Sequence, residues 1–199
     1  MEIVGKRVTI RPLQEMDVFH MRYWGKHENL LLEDYDFPFY TDEEIKKWYK
    51  AKTKSFFDKY YGIRNENDRL IGYLGIKDIR IFFRSSTLGI VLDPNFIDRG
   101  YGTEILKEYL DHYFTKMKMR RMFLEVAEFN TRAYRVYEKI GFVPIAYYLD
   151  EFHSHRLDLS DKNYLKSKSS FVITEKKIYN YIYRMKLDRK VFFQKITRI

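Results

Sequence analysis

Two glycines at the start of a helix form a possible phosphate-binding turn. Residues 92–103 join a strand to a helix, and Gly100 and Gly102 carry no side chain where a ligand could approach the backbone. The first N–H groups of a helix are unpaired and lie at the positive end of its dipole, which suits a pyrophosphate. Arg99 adds a positive charge, and the Thr103 hydroxyl adds a hydrogen-bond donor. The turn lacks the third glycine of a dinucleotide fingerprint and the Gly-Lys-Ser/Thr of a Walker loop, and glycines at such turns also serve packing alone.

A second group of polar residues follows this helix. Glu125 lies near the end of a short strand, Asn130 precedes the next helix, and Tyr137 lies within that helix. Each has an ordinary structural explanation: Glu125 as an exposed strand residue, Asn130 as an N-cap, and Tyr137 as a core aromatic on one face with Ala133 and Ile140. Spacing alone does not choose between these explanations and a chemical role.

The surrounding elements predict a mixed, twisted sheet. Apolar patterning predicts strands at 8–13, 60–63, 70–79, 87–92, 122–126, 142–149 and 179–187. Helices are expected at about 14–25, after a capping box at 41–44, from 100 onward and at 130–140. An antiparallel meander followed by β-α-β-α-β implies helices on the faces of the sheet. Residues 150–178 are expected to form a loop insertion before the last strand.

Composition places the chain among folded proteins. Its 199 residues are 45% apolar and 18% aromatic, enough for one domain with a sizeable core over 1–199. No apolar run approaches the ~18 residues that span a bilayer, and the first residues lack the apolar region of a signal peptide. We therefore expect a cytoplasmic protein without a membrane partner. The absence of cysteine excludes disulfides, thiolate metal sites and a cysteine nucleophile.

The net charge of +9 is unevenly distributed. Residues 161–199 contain eleven Lys and Arg but three Asp and Glu, whereas residues 28–44 contain seven acids and no Lys or Arg. The basic end could attract nucleic acid, a phosphorylated cofactor or an acidic protein, or it could be a solvated surface. It contains no recognised nucleic-acid motif, so nucleic acid is not expected as the main partner.

Residues 130–142 resemble a motif of the GNAT superfamily of N-acetyltransferases. The family pattern Asn-x-x-Ala-x-x-x-Tyr-x-x-x-Gly-Phe is matched at Asn130, Ala133, Tyr137, Gly141 and Phe142. The glycine turn is similar to the family's acetyl-CoA loop and stands at the expected interval. The likeness covers about 8–149 and 179–187, and it points to the bacterial branch that acetylates the N-terminal alanine or serine of ribosomal proteins. It implies an α/β fold with a mostly antiparallel seven-stranded sheet, a central splayed parallel pair, and helices on both faces.

The resemblance also implies acetyl-CoA as the acyl donor and assigns roles to residues. Cofactor contacts fall on Ile90, Val91, Leu92, Ile97, Asp98, Arg99, Gly100, Tyr101, Gly102, Thr103 and Asn130. Backbone N–H groups of the strand before the turn would polarise the thioester carbonyl. Tyr137 would be the general acid, since a phenol of pKa ~10 can protonate a thiolate of pKa ~8.5. Glu125 would be the general base, with Tyr134 and the pair His153 and His155 as weaker alternatives.

The glycine turn departs from the family pattern at its first position. The family usually has Gln or Arg where this chain has Ile97, and Asp98 then places an acid beside the phosphate site. The departure predicts a weaker cofactor contact, with Arg99 as the compensating charge. It also leaves open a second interpretation, in which the chain binds acyl-CoA without catalysis. A third is a basic protein associated with nucleic acid or the ribosome.

The acidic stretch bears on the acceptor. Asp42, Glu43 and Glu44 favour the start of a helix, which leaves the acids further upstream without a local explanation. We therefore expect an amine substrate to be bound by Glu33, Asp34, Tyr35 and Asp36. It would be a protein N-terminus or a small cationic amine such as a polyamine or aminoglycoside. An α-amine of pKa ~7.7–8.0 is deprotonated more readily than a lysine amine of ~10.4. A dimer is possible, and nothing in the sequence decides it.

Overall fold

A computed structural model describes residues 1–153 and 157–196, and within these ranges the chain forms nine strands and six α-helices. The strands are β1 (Ile3–Val4), β2 (Val8–Pro12), β3 (Lys59–Asn65), β4 (Leu70–Arg80), β5 (Ser85–Leu92), β6 (Arg121–Ala127), β7 (Val143–Glu151), β8 (Phe171–Ile173) and β9 (Ile178–Asp188). The helices are α1 (Glu15–Met21), α2 (Asp42–Thr53), α3 (Tyr101–Thr115), α4 (Thr131–Ile140), α5 (Lys162–Lys166) and α6 (Arg189–Ile196). Short 3₁₀ helices cover Leu30–Tyr35, Pro94–Phe96 and Lys168–Ser170.

One sheet contains all nine strands, in the order β1-β2-β3-β4-β5-β6-β9-β7, and β8 pairs with β9 as well. Neighbouring strands are antiparallel except β5 and β6, which are parallel and pair only at 85–87 with 121–123. β5 continues to Leu92 and β6 to Ala127, so the two strands diverge after Thr87. The expected splayed parallel pair at the centre of the sheet is therefore confirmed.

Hydrophobic cores cover both faces of the sheet. The larger core packs α3, α4 and α6 on one face, and its buried members from these helices are Tyr101, Ile105, Leu106, Tyr109, Leu110, Tyr113, Phe114, Tyr137, Ile140 and Phe192. The smaller core packs α1 and α2 on the other face through Val18, Met21 and Ile45, against Tyr60 and Leu70 of the sheet. Because strand side chains alternate between faces, β3, β4 and β5 contribute to both cores, whereas the core residues of β6 belong to the larger one. Helices on both faces are thus confirmed.

Capping residues position the two helices that border the central gap in the sheet. Asn130 caps α4 by accepting a hydrogen bond from the Ala133 N–H at 3.2 Å. Gly141 ends α4 with φ of +114°, a left-handed conformation that favours glycine. Gly100 precedes α3 with φ of +79°. Both ends of α4 and the start of α3 are therefore encoded locally, which fixes where the first N–H groups of the two helices lie.

The structure differs from the sequence-based expectation in several elements. The sheet has nine strands instead of seven because β1 and β8, of two and three residues, are too short to show periodicity. Helix α1 ends at Met21 instead of about 25, and α6 was not expected. Within 150–178, the described residues are not simply a loop, since they include α5, β8 and the end of β7. These short elements are stabilised by tertiary contacts, which the local sequence pattern does not predict.

Helix α6 offers a test of this packing. Phe192 is fully buried, with its ring centroid 5.3 Å from that of Phe114 in α3. Replacing a buried Phe by Ala removes apolar contacts and leaves a cavity, so Phe192→Ala should lower the free energy of unfolding by about 3–5 kcal/mol. Urea denaturation measures this loss. The exposed Gln194→Ala, in the same helix, is the control and should change stability by less than ~0.5 kcal/mol.

Candidate active site

The divergence of β5 and β6 opens a cleft of about 460 Å3 that reaches both faces of the sheet. One end lies at the glycine turn before α3, and the other lies beside α2. Twelve of the residues assigned from the sequence line it: Ile90, Val91, Leu92, Ile97, Asp98, Gly100, Gly102, Thr103, Asn130, Glu125, Tyr137 and Tyr35. Five others do not: Arg99, Tyr101, Glu33, Asp34 and Asp36.

Strand register determines which β5 amides face the gap. The Asp93 N–H donates to the Ile71 carbonyl of β4 at 2.9 Å. In an antiparallel pair, alternate residues bond to the partner strand, so Val91 has its backbone groups directed to β4 as well. Ile90 and Leu92 are in the opposite phase and direct their N–H groups toward β6, which has moved away. These two amides are therefore the donors available to a carbonyl oxygen in the cleft, and the Val91 amide is not.

The glycine turn is built from left-handed residues and is braced by the N-terminal part of the chain. Asp98 and Gly100 have φ of +58° and +79°. Arg7 donates to the Arg99 carbonyl at 3.1 Å and forms an ion pair with Glu104 of α3 at 2.8 Å. A Cβ added at Gly102 would lie 3.6 Å from the nearest neighbouring atom, so the space beside this residue is open. The turn thus exposes backbone at the positive end of α3.

The side chains of this turn do not all act as the sequence suggested. The Arg99 guanidinium lies over the Phe96 ring, 5.3 Å from its centroid. Asp98 pairs instead with Arg132 of α4, at 3.3 Å. The expected compensation by Arg99 is therefore wrong, because Arg132 is the cation that faces the acid. Asp is also among the few non-glycine residues that adopt the left-handed conformation readily, which explains its presence in the turn.

Tyr101 is the other turn residue whose side chain lies elsewhere. Its phenol donates to both carboxylate oxygens of Glu66, at 2.9 and 3.0 Å, and the Arg7 guanidinium lies over its ring. Only the backbone N–H groups of Arg99 and Tyr101 remain available to a phosphate. The cofactor contacts predicted for Arg99 and Tyr101 would therefore be made by their backbone.

A cluster of polar groups lies where α4 meets the cleft. Tyr137 is buried, and desolvation, followed by the charge of the neighbouring Tyr35 phenol, raises its pKa well above the ordinary 10. Burial also raises the pKa of Tyr35, and a hydrogen bond with the Asn130 side chain partly lowers it. Asn130 therefore both caps α4 and orients Tyr35. Both phenols stay protonated at neutral pH, so Tyr137 is available as a proton donor.

Glu125 lies on the opposite face of the sheet from α3 and α4. It alternates along β6 with Leu124 and Val126, which are buried in the larger core, and its own side chain is exposed. The Tyr148 phenol of β7 hydrogen-bonds to Glu125, and burial together with that bond raises the pKa of Tyr148 to about 12. Glu125 is thus a carboxylate held at the far side of the gap, where an acceptor could meet it.

The acidic segment contributes one face of a 3₁₀ helix to the cleft. With three residues per turn, Leu32 and Tyr35 are eclipsed, and both line the cleft. Glu33 and Asp34 lie on other faces of that helix. Asp36 accepts from the His27 ring Nδ1 at 2.6 Å and from the His27 N–H at 3.1 Å. The carboxylates expected to bind an amine are therefore placed outside the cleft lining, and Asp36 positions His27, which does line it.

Sequence reasoning missed several residues that line the acceptor-side end of the cleft: Lys52, Tyr60, Tyr73, Gly75, Lys77 and Gly89. They belong to no motif: Lys52 comes from α2, and the other five are brought together by the register of β3, β4 and β5. The only available signal was the pair of glycines inside strands, which often marks close approach of a ligand or backbone.

The described part of the chain shows no cluster of three or more His, Cys, Asp or Glu suited to a metal ion. His153 is exposed, with its ring 4.0 Å from Glu151, and His155 lies outside the described residues. Across 1–153 and 157–196, none of the helices combines the length and apolar character that crossing a membrane requires.

Comparison with known proteins agrees with this geometry. Residues 7–143 match the family described as the acetyltransferase (GNAT) domain. A spermidine N(1)-acetyltransferase of Vibrio cholerae is 22% identical over 149 residues, covering 75% of this chain and 86% of that protein. The probable N-acetyltransferase YjcK of Bacillus subtilis (strain 168) is 29% identical over 155 residues, covering 69% and 81%.

Solved structures show the same fold. The spermidine N-acetyltransferase from Vibrio cholerae in complex with CoA and spermine superposes with a TM-score of 0.71 at 19% identity, covering 94% of this chain and 98% of that one. The family match spans more than half of the chain and includes the glycine turn and α4. The chain belongs to the GNAT family and is an acetyl-CoA-dependent N-acetyltransferase.

Proposed function

We propose that this protein transfers an acetyl group directly from acetyl-CoA to the primary amine of a small molecule, in the cleft between β5 and β6. One observation carries the proposal. A single cleft connects the glycine turn with Glu125, passing the Tyr137 phenol and the outward-facing amides of β5. Donor and acceptor can therefore enter from opposite faces of the sheet and meet in the gap.

The residues at the glycine turn fit the cofactor. The open space at Gly102, the left-handed Gly100 and the N–H groups that begin α3 form a concave anion site without competing side chains. Ile97 and Leu92 add apolar surface, and Arg132 offsets the charge of Asp98. Acetyl-CoA supplies the acetyl group as a thioester.

Three groups of the chain support acyl transfer. The N–H groups of Ile90 and Leu92 stabilise negative charge that develops on the carbonyl oxygen. Glu125 takes a proton from the acceptor amine, whose nitrogen forms a bond to the carbonyl carbon as the carbon–sulfur bond breaks. Tyr137 donates a proton to the departing sulfur. The chain contains no cysteine, which favours direct transfer over a thiol-bound acyl intermediate.

Two acceptor classes follow from the sequence: a protein N-terminus of the ribosomal type, and a small cationic amine. The relatives named as spermidine N-acetyltransferases favour a small molecule. The cleft favours it too, because Leu32, Tyr35 and His27 add side chains to its lining and narrow the space for a folded protein substrate. A related Vibrio cholerae enzyme is described as dodecameric, so assembly of this chain is a further question for solution measurements.

The glycine turn gives the first prediction about the proposed function. At Gly102 an added methyl group meets no close neighbour, so Gly102→Ala should fold with unchanged stability. The same methyl would occupy space needed for close approach of a phosphate, and CoA affinity should fall by about tenfold or more, since ~1.4 kcal/mol of lost contact is a factor of ten. Calorimetric titration with CoA and a thermal melt measure the two quantities. Gly100→Ala is the contrast, because its positive φ costs about 1–2 kcal/mol of stability.

The proton donor gives the second prediction. Tyr137→Phe keeps the buried ring but removes the hydroxyl, so kcat should fall by about 10²–10⁴-fold while CoA affinity is retained. Steady-state kinetics and CoA titration measure both. Tyr134→Phe is the matched control in the same helix, since Tyr134 packs on Tyr183 outside the cleft lining, and it should leave kcat unchanged. Equal activity of Tyr137→Phe and the parent would exclude this role.

The base gives the third prediction. Glu125→Gln keeps the size and the hydrogen bond to Tyr148 but cannot accept the amine proton, so kcat/KM for the acceptor should fall by about 10²-fold near pH 7. The difference in kcat/KM between the variant and the parent protein should shrink as pH rises, because more of the acceptor amine is then already deprotonated when it binds. Glu128→Gln is the control: its carboxylate accepts from Tyr147 and Tyr183 near the cleft without lining it. A constant deficit from pH 7 to 10 would contradict the assignment.

A further inference from the structure

The register of the sheet places Glu125 in one row with two glycines. Tyr60 of β3 is opposite Gly75 of β4, which is opposite Gly89 of β5. The last parallel pair is Thr87 with Phe123, and Gly89 and Glu125 each lie two residues further along their strands, on the same face but across the gap. These residues therefore share the face that carries α2, opposite the face that carries α3.

The two glycines in the middle of this row carry no side chains, so the space above Gly89 is unfilled. A Cβ added at Gly89 would meet no atom closer than the Gly75 carbonyl, at 3.9 Å, whereas one added at Gly75 would lie 2.7 Å from the Tyr60 ring. The space over Gly89 is therefore open, and the Tyr60 ring, packed against Gly75, borders it on one side. Glu125 lies on the other side, beyond the gap between β5 and β6.

Two ammonium groups border the same space. Lys52, near the end of α2, and Lys77 of β4 both line the cleft. Lys52 lies over the Tyr60 ring at 5.6 Å. Desolvation and the nearby charge of Lys77 lower the pKa of Lys52, and Asp58 opposes this shift. Within the described part of the chain, no carboxylate forms an ion pair within 4.0 Å of either lysine.

The carboxylates of the cleft, unlike the two lysines, are not both at the end beside α2. Its lining contains two carboxylates, Asp98 and Glu125, among the described residues. Asp98 is at the glycine turn and pairs with Arg132. The acceptor end therefore holds one carboxylate and two ammonium groups. A polyamine would bring a second cation toward two lysines, whereas an anion there would relieve their mutual repulsion.

We infer that the acceptor carries an anionic group, a carboxylate or a phosphate, that binds between Lys52 and Lys77 while its amine meets Glu125. This inference rests on the proposed function and narrows its substrate class. β4 and β6 are two strand spacings apart where the sheet is paired, about 10 Å, and further apart beside the gap at Glu125. Because Lys52, Lys77 and Glu125 all line the cleft between these strands, the amine and the anion can belong to one small molecule. A charged row of this kind selects an amino acid or an aminoalkyl phosphate over a polyamine.

Matched acceptors test the inference by turnover. Lysine is compared with cadaverine, and O-phosphoethanolamine with ethanolamine, because each pair differs in the anionic group alone. Spermidine and a peptide with a free N-terminal serine complete the panel. The expected result is a kcat/KM at least tenfold higher for the anionic member of a pair. Equal or higher values for the partner that lacks the anionic group, for spermidine or for the peptide would overturn the inference while leaving acetyl transfer to an amine intact.

A charge-matched variant pair separates this site from a general effect of net charge. Lys52→Gln with Lys77→Gln should lower kcat/KM for the anionic acceptors by about tenfold or more and leave CoA affinity unchanged. Lys46→Gln with Lys50→Gln removes the same charge from exposed positions of α2 and should change neither. Equal effects of the two double variants would overturn the inference.

If no amine is turned over, the proposed function is wrong. A binding measurement then still tests whether the two lysines form an anion site. In the CoA-loaded protein, the Lys52 side chain is titrated by NMR with and without inorganic phosphate. Phosphate should raise the Lys52 pKa in the parent protein, and the rise should disappear in Lys77→Gln. A Lys52 titration that phosphate leaves unchanged would overturn the inference by itself.

Discussion

The structure depends on an incomplete pairing at the centre of its sheet. β5 and β6 share three positions and then separate, although both strands continue. Unpaired backbone groups in a protein interior are costly unless something else satisfies them. The amides of Ile90 and Leu92 face this gap, and in the proposed mechanism a ligand carbonyl satisfies them. α3 and α4 hold one face apart, and α1 and α2 hold the other.

The glycine turn that we propose as the cofactor site presents mainly backbone to the cleft. At the glycine turn, Arg99 stacks on Phe96 and Tyr101 binds Glu66, so both side chains stabilise the turn without lining the cleft. The ion pair between Asp98 and Arg132 links the turn to α4 across the mouth of the cleft. An acid that looks unfavourable in the sequence is therefore compatible with an anion site, because its charge is already paired.

The sequence predicted the central elements well, because their signals are local. Asn130 and Gly141 mark both ends of α4, and Gly100 and Gly102 mark the start of α3. The acceptor side was predicted poorly. Tyr60, Gly75 and Gly89 meet only through strand register, and the acids of 33–36 were assigned by charge without knowing which face of a 3₁₀ helix would point inward. Pairing across a sheet and the facing of a short helix are tertiary properties that spacing along the chain does not encode.

Tyr35 joins two parts of the molecule that could otherwise vary independently. It belongs to the connection over the cleft, yet its phenol contacts Asn130 and shifts the proton affinity of Tyr137. Redesigning that connection to admit a bulkier acceptor would therefore disturb the chemistry if Tyr35 were changed. Leu32 is eclipsed with Tyr35 and lines the same cleft without a polar group. In the proposed mechanism, Leu32 is thus a position where the cleft can be reshaped without changing the contacts among Tyr35, Asn130 and Tyr137.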